Sequence, residues 1–110
     1  MKNFQNKVAV ITGGGSGFGR EFALIGAKLG MKLVLADVQQ DALDKVQAEL
    51  EAIGAQVLTM RCDVRHAAEV QALADATMAK FGAVHLVFNN AGVGSGGLIW
   101  ENTQADWEWV

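Results

Sequence analysis

Only one cysteine, Cys62, occurs among the 110 residues, so the chain cannot form an intramolecular disulfide. Its place beside a strand end reads as a buried thiol and not as a nucleophile. There is no basic block: 9 Lys and Arg stand against 12 Asp and Glu, a net charge of -3. Nucleic acid and an anionic membrane surface are therefore poor partners. No apolar run approaches the roughly 18 residues of a spanning helix. The opening MKNFQNKVAVITGG lacks the apolar centre of a secretion signal and runs straight into a strand. No membrane partner is expected, and the cytoplasm is the default compartment. The two histidines, His66 and His85, share no ligand spacing, so no metal site is expected. They read as a surface residue at a helix start and as a strand-start residue. Tyrosine is absent altogether.

What is present is an ordinary globular composition, 51% hydrophobic and 19% charged, enough for one domain over residues 1–110. Val8 to Ile11 is an apolar run suited to a strand buried on both faces. Phe18, Phe22, Ile25 and Leu29 follow at helical spacing, and Gly30 stops them. Met31 to Ala36 is a second strand, closing on Asp37. Leu43, Val46, Leu50 and Ile53 form a second helical stripe, ended by Gly54. Gln56 to Met60 is a third strand. Val70, Leu73, Thr77 and Phe81 mark a third helix, its apolar face widened by Ala74 and Met78, and Gly82 follows. Met60 and Met78 read as core filler. Val84 to Phe88 is a fourth strand. Strands alternating with helices of this length predict an α/β fold with a parallel sheet and right-handed crossovers. Beyond it, Gly92 to Gly97 reads as a flexible loop. Thr103, with Asp106 three residues on, reads as a capped helix entry that takes in Trp107 and Trp109. That helix has neither a full face nor a stop where the sequence ends.

Thr12-Gly13-Gly14-Gly15-Ser16-Gly17-Phe18-Gly19 lies between the first strand and the first helix, the position of a phosphate cradle. Gly13 suits the positive φ of a tight turn, Gly17 lets a pyrophosphate approach the backbone, and Gly19 lets the helix pack close to the strand. The unpaired N–H groups of the helix start would face the anion. Asp37, at the carboxyl end of the second strand, stands where a dinucleotide site needs an acid on the adenosine ribose. Its carboxylate can accept from both ribose hydroxyls and would repel a 2′-phosphate. No basic residue precedes Arg20 in the loop, and Val38 follows Asp37, so NAD is expected in preference to NADP. Asp63 and Val64 end the third strand, where a carboxylate and an apolar neighbour could hold adenine; the competing reading has Asp63 capping a helix that begins near Arg65. Asn89-Asn90-Ala91-Gly92 ends the fourth, with amides for backbone hydrogen bonds and a glycine for close approach.

Together these residues resemble the short-chain dehydrogenase/reductase family in its classical branch, in the amino-terminal, cofactor-binding part. TGGGSGFG has that family's Thr-Gly-x-x-x-Gly-x-Gly spacing. The resemblance covers essentially the whole sequence. It implies a Rossmann-type parallel sheet of order 3-2-1-4 with flanking helices, truncated after strand four. It assigns Gly13, Ser16, Gly17, Phe18 and Gly19 to the pyrophosphate region, Asp37 and Val38 to the adenosine side, Asp63 and Val64 to adenine, and Asn90, Ala91 and Gly92 to the ribose and the approach to the nicotinamide. It further implies hydride transfer between nicotinamide and a small-molecule alcohol or carbonyl substrate, in a homo-oligomer.

The sequence departs from that family at the chemistry. The family's Tyr-x-x-x-Lys is missing, so no catalytic residue is assigned, and the chain alone is expected to bind cofactor without turnover. The family's sheet continues past strand four, which would leave Val84 to Phe88 as an apolar edge open to pairing. Two other readings compete: a non-catalytic nucleotide-binding or association module, and an S-adenosylmethionine-dependent methyltransferase, in which the Asn-Asn-Ala-Gly segment has no role.

Overall fold

Five consecutive buried residues, Val8–Thr12, form β1 at the centre of the sheet in the computed structural model. The structure describes residues 4–15 and 17–89. After β1 come α1 (Gly17–Lys28), β2 (Lys32–Asp37), α2 (Gln40–Ala52), β3 (Val57–Arg61), α3 (Ala67–Phe81) and β4 (Leu86–Asn89). The strands pair in parallel in the order β3-β2-β1-β4, as the resemblance implies. The loop expected at Gly92 to Gly97 and the helix expected from Thr103 lie outside the described residues.

Alternation along each strand divides the interior into two layers. Val8, Val10, Val34 and Ala36 point towards Val70, Leu73 and Ala74 of α3. Ala9, Ile11, Leu33 and Leu35 point the other way, towards Ala23 of α1 and Leu43, Val46 and Leu50 of α2. Each crossover helix therefore covers a sheet face, which explains why the strands read as continuous apolar runs. The stops at Gly30, Gly54 and Gly82 all carry positive φ, and the Gly82 N–H donates to Met78 O at 2.9 Å to close α3.

Three expectations about faces and ends are corrected. The large apolar residues of α1 do not form its buried face: Phe18 is 73% and Ile25 54% exposed, while Gly19, Ala23 and Gly26 are buried. Small residues let the helix axis lie close to the sheet, which pushes the larger side chains out to its flanks. Met78 is not core filler but half exposed; Met60 does pack against the core. And α3 starts at Ala67 instead of near Arg65, with Asp63 holding the turn ahead of it.

Candidate functional site

The carboxyl ends of all four strands come out on one edge. Thr12 lies opposite Ala36 and Asn89, and Asp37 lies opposite Arg61, so the segments that follow each strand emerge side by side. Thr12 Oγ1 donates to Asn89 Oδ1 at 2.9 Å, tying the tips of β1 and β4. The N–H of Cys62 donates to Asp37 O at 2.9 Å, which ties the turn after β3 to the end of β2. The described members of the expected site, Gly13, Gly17, Phe18, Gly19, Asp37, Val38, Asp63 and Val64, thus lie along this rim. Ser16, Asn90, Ala91 and Gly92 lie outside the described residues.

The glycine loop is shaped by what its residues lack. Gly13 has φ 68°, the left-handed turn that suits a residue without Cβ. A Cβ on Gly19 would stand 2.1 Å from Gly13 O, so only glycine lets α1 begin this close to the turn. At Gly17, φ is 59° and, among the described residues, an added Cβ would meet nothing within 4 Å. Gly17 is the first residue of α1, where helix N–H groups have no intrahelical acceptor. No acidic side chain occupies that first turn to compete for the positive end of the helix. The start of a helix with no acid in its first turn is a place where backbone N–H groups and the helix dipole favour negative charge. Phe18, largely exposed, flanks it.

Two carboxylates stand on the rim, Asp37 against the loop and Asp63 after β3. Asp37 accepts from the Gly15 N–H through Oδ2 at 3.0 Å and from the Gln39 N–H through Oδ1 at 3.1 Å. Val38, next to it, is exposed. Asp63 is gripped by Arg65, with Nε to Oδ1 at 3.0 Å and Nη2 to Oδ2 at 2.8 Å, and it also accepts from the Arg65 N–H. His66 Nε2 stands 3.5 Å from Asp63 Oδ2. The Arg65 hydrogen bonds hold the Asp63 carboxyl well below the usual carboxylate range. Val64 turns its side chain into the core beneath α3, so towards the rim it offers main chain. Between these acids Cys62 is buried, and burial, with the charges of Glu69 and Asp63, pushes its thiol up to about 11. That is a structural thiol and not a nucleophile.

Arg20, the basic residue nearest the loop, is turned away from it. Its guanidinium makes a two-pronged ion pair with Glu49 of α2, Nε to Oε1 at 3.0 Å and Nη2 to Oε2. The pair raises the Arg20 pKa and lowers that of Glu49. His85, at the strand start as expected, has a partner that sequence spacing does not reveal: its Nδ1 accepts from the Val8 N–H at 3.0 Å. Sequence reasoning also missed the roles of Gly15, Thr12 and Arg65. Gly15 and Thr12 were visible as members of the glycine stretch; the Arg65 clamp carried no signal in its spacing. Among the described residues, no group of three His, Cys, Asp or Glu side chains is placed to hold a metal ion, and no helix is long and apolar enough to cross a membrane.

This architecture recurs in known proteins. A family model described as short chain dehydrogenase matches residues 7–110. The chain is 42% identical over 110 residues to a CLA biosynthesis dehydrogenase/reductase of Lactiplantibacillus plantarum, covering all of this chain and 38% of that protein. It is 41% identical over 88 residues to the 7alpha-hydroxysteroid dehydrogenase of Escherichia coli K12, covering 80% of this chain and 34% of the relative. Among solved structures, a short chain dehydrogenase/reductase from Burkholderia phymatum in complex with NAD superposes with a TM-score of 0.77 at 60% identity, covering 79% of this chain and 31% of that one. The chain spans about a third of the length of these relatives. With the fold, the glycine spacing and the family match in agreement, the chain belongs to the short chain dehydrogenase family.

Proposed function

We propose that this chain is the NAD-binding portion of an oxidoreductase that moves hydride between nicotinamide and a small-molecule alcohol or ketone. The observation that carries the reading is the placement of Asp37 beside the cradle at Gly17, with the glycine loop between them. Gly13, Ser16, Gly17, Phe18 and Gly19 would hold the pyrophosphate, and Asp37 with Val38 the adenosine ribose. Asp63 and the Val64 main chain would face adenine, and Asn90, Ala91 and Gly92 would lead towards the nicotinamide. When bound, NAD supplies the hydride acceptor; the residues of this chain bind and orient it. No residue of the chain is assigned to proton transfer, because the family's Tyr-x-x-x-Lys has no counterpart in this sequence.

Preference for NAD over NADP follows from charge. Asp37 would meet a 2′-phosphate with like charge, and Arg20 is committed to Glu49. Calorimetric titration tests this. Asp37→Ala should weaken NAD by about 10- to 100-fold, the value of one or two charged hydrogen bonds. NADP should bind the native protein more weakly than NAD. Equal affinities for the two, unmoved by Asp37→Ala, would remove the ribose assignment.

A second reading, a nucleotide-binding module that works by association, is favoured by the apolar groove where Phe22, Ile25 and Leu29 of α1 face Leu86 and Phe88 of β4. A concentration-dependent dimer with no turnover, even when the family's catalytic segment is supplied as a separate chain, would support it. Restored alcohol oxidation in that mixture would exclude it.

A further inference from the structure

The Gly15 main chain sits against the Asp37 carboxylate and the second helix at once. Its N–H donates to Asp37 Oδ2 at 3.0 Å. A Cβ built on Gly15 would lie 2.9 Å from that same oxygen and 2.9 Å from Ala42 Cβ. Neither neighbour is the loose end of a flexible side chain. Ala42 is on the first turn of α2, and Asp37 is held from its other oxygen by the Gln39 N–H at 3.1 Å. Two main-chain donors therefore fix the carboxylate from opposite ends, while each oxygen keeps acceptor capacity for one more donor. The strand beneath is fixed as well: Gly14 N–H donates to Ala36 O at 3.1 Å and Cys62 N–H to Asp37 O at 2.9 Å.

We infer that Gly15 is a positioning and specificity-determining residue, whose bare main chain pins Asp37 and so joins ribose recognition to the shape of the phosphate loop. Asp37 serves the loop before any nucleotide arrives. A pinned carboxylate cannot swing aside for a 2′-phosphate, so discrimination against NADP is built into the loop geometry and not only into charge. Any side chain at position 15 must displace either the acid or the start of α2. The cofactor part of this inference rests on the NAD reading above; the pin itself does not.

Amide hydrogen exchange followed by NMR tests the pin without nucleotide. In Asp37→Ala the Gly15 amide should exchange about tenfold faster or more, as one charge-assisted hydrogen bond is lost, while core amides such as that of Leu33 stay protected. Asp37→Asn has one carbonyl oxygen for two donors, so it should release one of the Gly15 and Gln39 amides; it also serves as the second variant if Asp37→Ala does not fold. Unchanged Gly15 and Gln39 exchange in the variants that fold overturns the pin. A double-mutant cycle with NAD tests the coupling. Gly15→Ala should weaken NAD about tenfold, and adding Asp37→Ala should cost clearly less than it does alone. Strictly additive losses overturn the coupling. Gly15 protection that depends on Asp37 in a protein with no measurable NAD affinity would keep the pin and reject the cofactor reading.

Discussion

Helices α1 and α2 lie on the same face of the sheet and carry similar apolar spacing, yet they bury opposite kinds of residue. On α2 the large residues Leu43, Val46 and Leu50 are fully enclosed against β2 and β3. On α1 the enclosed residues are Gly19, Ala23 and Gly26, while Phe22, Ile25 and Leu29 line an apolar groove of about 180 Å³ towards β4. Phe22 is partly sheltered by Phe88, with ring centroids 4.0 Å apart. The difference follows from position. Close docking on small residues brings the start of α1 against the glycine loop, with Gly19 packed on Gly13, whereas α2 packs by volume. The α1 side is vulnerable to added atoms and the α2 side to removed ones.

The contrast breaks hardest at α2. Leu50→Ala leaves a cavity in a fully buried layer and should cost about 2–5 kcal/mol in urea unfolding. On α1 the comparable damage comes from a single added methyl. Gly19→Ala drives a Cβ into Gly13 O and should cost about 1–3 kcal/mol, with loss of nucleotide binding in the same titration. Ile25→Ala should change stability by about 1 kcal/mol or less, since half of that side chain is already in solvent. A large cost that grows with protein concentration would show instead that a second chain covers the α1 groove.

Smaller effects are expected in the paired strands. His85 must be neutral at Nδ1 to accept from Val8, and burial, with Lys7 and Lys32 nearby, lowers its pKa from the ordinary 6.5. The folded state thus binds this proton less readily than the unfolded chain. The stabilisation is fully present above about pH 6.5 and is lost as pH falls from there through the lowered folded value. Urea midpoints at pH 7.5 and pH 5.5 should differ more for the native chain than for His85→Ala. Cys62, buried and raised to about 11, should react with a thiol reagent only as fast as the fold opens.

The sequence carried the elements well and their surroundings poorly. Strand runs such as Val8 to Ile11 and the glycine stops at Gly30, Gly54 and Gly82 are local signals, because backbone conformation and two-sided burial are written into neighbouring residues. The spacing of Phe18, Phe22, Ile25 and Leu29 correctly marked a helix but could not say which face meets the sheet. That face is decided by the small residues between them and by where β4 ends. The site was legible as a set of strand tips, since a parallel sheet with helical crossovers puts every carboxyl end on one rim. Its internal bonds were not: Gly15 to Asp37, Thr12 to Asn89 and His85 to Val8 join residues far apart in the chain. The Arg65 clamp on Asp63 is local but rests on the turn before α3, whose start near Arg65 was misplaced.

The most direct test of the account is an amide NMR map of the chain titrated with NAD. Shifts concentrated at Gly13, Gly17, Gly19, Asp37 and Asp63, with the amino-end residues Lys7, Lys32 and His85 unmoved, are the expected result. Shifts centred on the amino ends of the strands, or none at saturating NAD, would contradict the claim that this rim is built for a dinucleotide.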